Sequence, residues 1–279
     1  ARHLHFADAA EELGLTQGAV SRQVRELESQ IGTPLFRREG RGVRLTEAGR
    51  ALATPLLGDL DRLQRTVRHA MAAGASAKLL TIAAPPTFAT RWLMPRLPDF
   101  RDQHSDMDFV VYSRSEPFDL NEQHVDLAVH FGGWDWPGAQ LTPLCPEDLM
   151  VAAAPDLLSR FPQSSPDDVL NLPLLHLMSR PYLWERFSQS VAPDRPAPRS
   201  GSQFDQFSLL IAAAVAGMGA AILPSYLIET ELTDGRLVCL ANVPPDTAQS
   251  YFVARPMGQT SALATEFTAW LRRQVVRRS

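Results

Sequence analysis

Leu15-Thr-Gln-Gly-Ala-Val-Ser-Arg-Gln-Val-Arg-Glu-Leu-Glu-Ser-Gln-Ile-Gly32 is the stretch whose reading decides the fold. Thr16 at its head can accept a backbone N–H from two or three residues on, and Gly32 at its foot can close a helix in the left-handed conformation. Between them Val20, Val24, Leu27 and Ile31 recur at spacings of four, three and four, which predicts a helix with that stripe turned to a core. Thr16, Gln17, Gly18, Ser21, Arg22 and Arg25 lie at its start or off the stripe. Their chemistry suits a major groove: Arg forks onto guanine, Gln onto adenine, and Ser donates to a base or a phosphate. Taken alone, the helix reads equally well as an ordinary surface helix with a solvated polar face, so its neighbours decide.

Residues 7–13 predict a short helix whose small Ala9 and Ala10 allow close approach, and Gly14 breaks it. Helix, short glycine turn, helix is the helix-turn-helix arrangement. After Gly32 two short extended pieces flank the tip Glu39-Gly40-Arg41-Gly42, with Leu35, Phe36, Val43 and Leu45 as apolar anchors. This is a wing, and it displays Arg37, Arg38, Arg41 and Arg44. Some of these face phosphates or a minor groove, and others pair with Glu39 or Glu47. A long helix from Thr46 to about Ala73 follows. Leu56, Leu60, Leu63 and Val67 repeat at four and three residues, the narrow seam of helix pairing, so the helix is expected to dimerise the chain and to kink at Pro55.

The net charge of -4 hides an asymmetry: residues 1–77 hold 11 Arg against nine acids, +2, and the remainder 16 basic against 22 acidic residues, -6. A positive end on an acidic body places any polyanion contact in the N-terminal part. No run of about 18 apolar residues exists to span a bilayer, and the first residues lack a signal peptide's apolar segment, so a cytoplasmic protein with no membrane partner is expected. Cys145 and Cys239 stand apart from each other and from His at ligand spacing; no metal site, cofactor or disulfide framework is indicated. The seven His residues are scattered, and nucleophile-elbow, phosphate-loop and H-E-x-x-H motifs are absent, which argues against an enzyme.

Gly74-Ala75-Ser76-Ala77 reads as a hinge. Beyond it strands are expected at 79–84, 108–112, 125–131, 149–153, 172–176, 220–223 and 237–240. Helices are expected at about 91–103, 182–190, 207–216, 225–231 and 262–277. Alternation of this kind predicts α/β layers.

These residues resemble the LysR-type transcriptional regulators over essentially the whole chain. The likeness rests on Ala9-Ala10-Glu-Glu-Leu13, Thr16-Gln17-x-Ala19-Val20-Ser21-Arg22, Leu27-Glu28, Gly32-x-Pro34-Leu35-Phe36-x-Arg38, Leu45-Thr46-x-Ala48-Gly49 and Gly217-x-Gly219-x-x-x-Leu223-Pro224. Ser179-Arg180-Pro181-x-x-Trp184 and residues 92–95 are similar to the glycine-cleavage-activator-like branch. The resemblance implies an α/β protein with an N-terminal winged helix-turn-helix (1–50), a linker helix and hinge (51–77), and a two-subdomain effector-binding domain resembling periplasmic binding proteins (78–279). Subdomain I is expected at about 78–155 and 256–279, and subdomain II at about 156–255. It also implies double-stranded DNA, a small-molecule effector and RNA polymerase as partners, and a homodimer or homotetramer. Relative to the family pattern, the sequence opens inside the first helix, as in an N-terminally truncated chain.

By that analogy the effector cleft takes Pro86, Thr87, Phe88, Ser113, Ser115, His130 and Phe131 from one subdomain and Arg180, Asp205 and Gln206 from the other. Thr87 reads equally as a helix cap, as does Asp205, and His130 equally as a structural histidine. If Arg180 and Asp205 both reach inward, an amino acid or similar small carboxylate is matched at both ends. A free-standing solute-binding protein would have no use for residues 7–50, and a redox regulator would need Cys145 and Cys239 to meet.

Overall fold

A computed structural model describes residues 3, 5–40, 42–74, 78–161, 166–195, 200–258 and 261–276. The chain divides into two compact units, Ala1–Met71 and Ala72–Ser279.

In the first unit α1 (Phe6–Leu13) ends at Gly14, whose φ of 64° is the left-handed conformation a glycine adopts freely. Thr16 caps α2 (Gln17–Ile31) by accepting from the Ala19 N–H at 3.2 Å, and Gly32 closes it at φ 76°. Strands β1 (Phe36–Glu39) and β2 (Gly42–Leu45) pair antiparallel as the wing. The small core holds Ala10, Val20 and Leu35, with Phe6 set edge-on to Phe36. The expected stripe is only partly buried: Val20 is inside and Val24 half-buried, but Leu27 and Ile31 are 41% and 44% exposed. At about 1.5 Å per residue, the eight-residue α1 covers about half the length of the 15-residue α2. The long helix α3 (Glu47–Gly74) runs on through Pro55, and Leu56, Leu60, Leu63 and Val67 are all exposed along it.

The second unit holds two five-stranded sheets. The first has the order β4-β3-β5-β12-β6, built from β3 (Lys78–Ala84), β4 (Met107–Ser113), β5 (Leu127–Gly132), β6 (Ala139–Cys145) and β12 (Ser250–Pro256). The other has the order β11-β7-β10-β8-β9, from β7 (Leu149–Ala153), β8 (Leu174–Leu177), β9 (Ser202–Phe204), β10 (Ala220–Pro224) and β11 (Val238–Val243). The chain therefore crosses between sheets at residues 146–148 and 244–249. This corrects the subdomain limits expected at 155/156 and 255/256: β7 belongs with the second sheet and β12 with the first. Strands β6, β9 and β12 are additional to the seven expected. Parallel pairing of β3 with β4 and β5 needs covering helices, which α4 (Pro86–Phe88, continuing as a π-type turn Ala89–Leu93), α5 (Leu97–Gln103) and α10 (Ala262–Val276) provide. The single helix expected at 91–103 is two because Pro95 has no N–H to continue the ladder. On the second sheet α6 (Pro155–Arg160), α7 (Leu183–Val191), α8 (Phe207–Val215) and α9 (Glu229–Thr233) pack over two clusters of Leu, Ile, Val and Ala. No described helix is long and apolar enough to cross a membrane.

Candidate functional site

On the first unit Thr16, Gln17, Gly18, Arg22 and Arg25 are exposed and Ser21 is half-buried. Arg25 donates to the Ser21 carbonyl at 3.2 Å, which lays its side chain back along the helix. Arg37 and Arg38 are exposed on the wing. Arg44 is already paired with Glu39 across the hairpin, and Arg41 lies outside the described residues. Glu28 has a role that its place in the sequence does not mark. Its carboxylate accepts the backbone N–H groups of Leu35 (2.7 Å) and Phe36 (3.0 Å), so the end of α2 holds the start of the wing. Thr46 continues the join: its N–H donates to the Leu35 carbonyl at 2.9 Å and its hydroxyl to Pro34. Replacing Thr16 by alanine removes the cap of α2. It is expected to cost about 1 kcal/mol in urea unfolding of the first unit, with DNA affinity falling in step.

In the second unit a cavity of about 250 Å³ lies where the two sheets meet. Strand ends and helix starts build it. Pro86, Thr87 and Phe88 follow β3, Ser115 follows β4, His130 and Phe131 end β5, Arg180 follows β8, and Asp205 and Gln206 lead into α8. Nine of the ten expected residues thus line this one cavity, from both lobes. Ser113 does not, because it ends β4, the outermost strand of its sheet, and the chain turns inward only at Ser115. Tyr182, Phe207, Tyr226, Gln249 and Tyr251 are among the other residues that line it.

Contacts across the cleft are direct. The Ser208 N–H donates to the Thr87 hydroxyl at 3.1 Å, so Thr87 joins the two lobes rather than capping its own turn. Arg91 donates to the Leu227 carbonyl and to both oxygens of the buried Glu231 at 2.8–2.9 Å. Asp205 does not cap α8: Gln206 stands at the cap position without a side-chain cap bond of its own, and the first-turn Ser208 N–H is met by Thr87 from the other lobe.

Arg180 departs most from expectation. Its guanidinium pairs with Glu147, its Cζ lies 3.8 Å from the centre of the Phe131 ring and 5.1 Å from that of Phe207, and its side chain is 13% exposed. Glu147 accepts in turn from the Tyr251 hydroxyl at 3.0 Å, and the Tyr226 and Tyr251 hydroxyls are hydrogen-bonded. Burial pushes the Glu147 carboxyl above its usual range against the pull of Arg180, and pushes both tyrosines up. Arg180 and Asp205 both line the cavity, and Arg180 enters it with its charge already matched by Glu147. Glu147 and Tyr251 escape sequence reading because they flank the two crossings. A Pro-Glu-Asp loop and a four-residue apolar run carry no local signal of meeting.

Cys145 and Cys239 are not joined in a disulfide and sit on edge strands of different sheets. Among the described residues no group of His, Cys, Asp and Glu could hold a metal ion.

A winged helix-turn-helix joined to a two-lobed α/β module with a cavity at the crossings is the plan of a ligand-responsive DNA-binding regulator. The descriptions "Bacterial regulatory helix-turn-helix protein, lysR family" and "LysR substrate binding domain" match residues 1–50 and 73–276. The chain belongs to the LysR family of transcriptional regulators. It is 33% identical to the glycine cleavage system transcriptional activator of Escherichia coli K12 over 243 residues, 87% of this chain and 79% of that protein. It is 32% identical to the transcriptional activator AmpR of Pseudomonas aeruginosa, over 97% of this chain and 90% of that one. The effector domain of that AmpR superposes with a TM-score of 0.63 at 27% identity, covering 72% of this chain and 97% of the domain. Full-length CrgA of Neisseria meningitidis shares the fold, with a TM-score of 0.59 over 98% of this chain and 93% of that one. The sequence relatives are transcriptional regulators, not enzymes.

Proposed function

We propose that this regulator binds dyad-symmetric promoter DNA as a homodimer or homotetramer in the cytoplasm, and signals to RNA polymerase when a small carboxylate or amino acid occupies the cleft. The observation that carries it is the cavity itself, lined from both lobes beside the crossings at 146–148 and 244–249. A ligand there contacts both lobes at once, so it favours one degree of closure over another. The exposed apolar seam Leu56, Leu60, Leu63 and Val67 suits pairing of two α3 helices. Paired chains would present two α2 helices to half-sites about one helical turn, roughly 34 Å, or a multiple of it apart.

Binding to the intergenic DNA beside its own gene, followed by fluorescence anisotropy with and without amino acids, carboxylates and aromatic acids, tests this reading. Operator affinity or footprint unchanged by every compound counts against effector control. In the same assay Arg22→Ala is expected to cost about 1–3 kcal/mol and to relax base preference, as for a residue reading a base edge. Arg38→Ala should weaken all sequences alike and lower the salt slope by about one, as for a phosphate contact. Equal loss on all sequences from Arg22→Ala would show that it only positions the protein.

A further inference from the structure

His130 is a buried ionisable side chain on the cleft wall. It is 5% exposed, and neither Nδ1 nor Nε2 has a hydrogen-bond partner among the described residues. The ring is held in place. Trp136 meets it edge-on at 5.1 Å, and Gly132 lies so close that a Cβ there would fall 2.6 Å from Nε2. Buried polar groups are nearly always bonded, so one left over in a ligand cavity points to the ligand as its partner.

The surrounding groups define what the partner is. Arg180 is matched by Glu147 and covered by two rings, so it is not a free anchor. The Thr87 hydroxyl accepts from Ser208, which leaves its O–H to donate. Glu116 and Asp205, exposed in the same cavity, suit an ammonium rather than an anion. Ser115, Ser179, Tyr182, Gln206 and Gln249 line the same cavity and can also donate; the His130 ring is the donor there that is buried with no partner among the described residues.

We propose that His130 recognises a carboxylate of the effector and binds it as an imidazolium, so that a small carboxylate or α-amino acid enters the cleft with uptake of a proton. This rests on the cleft being the effector site. Burial holds the ring's pKa below its ordinary value against the pull of Asp135, in the loop after its own strand, and Glu116, in the loop after β4, so by itself the ring is neutral near pH 7. A bound carboxylate adds a third negative neighbour and favours the charged form. Affinity then strengthens as pH falls through the window between the free and bound values, by up to about tenfold per pH unit.

Calorimetry on the full chain at about pH 6 and about pH 8 tests this across the ordinary histidine range, with acetate, glycine and L-alanine as probes against acetamide, glycinamide and L-alaninamide. At least one acid should bind several-fold tighter at the lower pH, its amide should bind about tenfold more weakly, and His130→Gln should abolish the pH dependence. In the wild-type chain the ring nitrogens of His130 should move to the imidazolium pattern in ¹⁵N spectra on saturation, a readout that does not depend on how a variant folds. An unchanged pH dependence in His130→Gln, a ring that stays neutral, amides binding as well as acids, or no binding by any acid overturns the proposal. A probe that shifts operator affinity without engaging His130 overturns this assignment and leaves effector control standing. Operator affinity unmoved by any compound, even one that binds, counts instead against effector control.

Discussion

Glu147→Ala is expected to destabilise the second unit by about 3–5 kcal/mol, the cost of leaving one charge of a buried pair behind. Glu147 and Arg180 side chains are 4% and 13% exposed, so solvent cannot replace the lost partner. The Tyr251 hydroxyl loses its acceptor as well. For a unit of this size each kcal/mol moves the melting temperature by about 2–4 °C, giving a fall on the order of 10 °C. The intact pair is worth much less than this, because desolvating two charges offsets most of their attraction. A double variant with both residues replaced by methionine should therefore recover most of the loss seen with Glu147→Met or Arg180→Met alone. Urea unfolding of the three variants measures the coupling, and a Glu147→Ala cost below about 1 kcal/mol would show the pair to be as weak as an exposed one. Because Glu147 lies in the first crossing and Tyr251 just past the second, loss of the pair should also loosen the hinge about which the lobes close.

The elements legible in the sequence are those whose signals are local. Helix α2 is bounded by Thr16 and Gly32, which do in the structure what their types predict, and β3, β5, β7 and β10 are short apolar runs buried on both faces. Strand β12 is not legible this way. Four apolar residues between Ser250 and Arg255 become a central strand only by pairing with 127–132 and 139–145, more than 100 residues earlier. The cleft divides on the same principle. Thr87, His130 and Asp205 stand at strand ends or helix starts, where free backbone groups collect, so their positions can be read from the order of elements. The partner of Arg180 cannot, because Glu147 comes near it only once the chain has crossed from one sheet to the other. The place of Arg180 on the cavity wall is readable from the sequence, and its pairing with a buried acid is not. On α2 the stripe at 20, 24, 27 and 31 gives the helix its phase, but how much of it is covered depends on the length of α1, which periodicity does not encode.

Gly49→Ala should disable the DNA-reading unit although it adds one methyl group. In the first turn of α3 a Cβ on residue 49 would fall 2.0 Å from the carbonyl oxygen of Leu35 and 3.0 Å from its carbonyl carbon and from Leu45 Cδ2. The obstacle is backbone, and it is fixed: Leu35 is 3% exposed, its carbonyl holds the Thr46 N–H, and its own N–H is held by Glu28. Relief requires α3 to lift off the wing, which breaks the Thr46 join and swings Arg37 and Arg38 relative to α2. Overpacking a side chain costs about 1–3 kcal/mol, and a clash with a hydrogen-bonded carbonyl belongs at the top of that range. Because the wing and α2 are proposed to act on one DNA site, affinity should fall at least about tenfold, the equivalent of 1.4 kcal/mol. Gly58→Ala, further along the same helix, is the control. Nothing lies within 4 Å of a Cβ there, so the change should stabilise by about 0.4–1 kcal/mol through the unfolded chain and leave DNA binding intact. Urea titration and operator anisotropy on both variants decide the matter. If Gly49→Ala matches wild type in both, α3 is free to give way at the wing, and the glycine is not required by close packing.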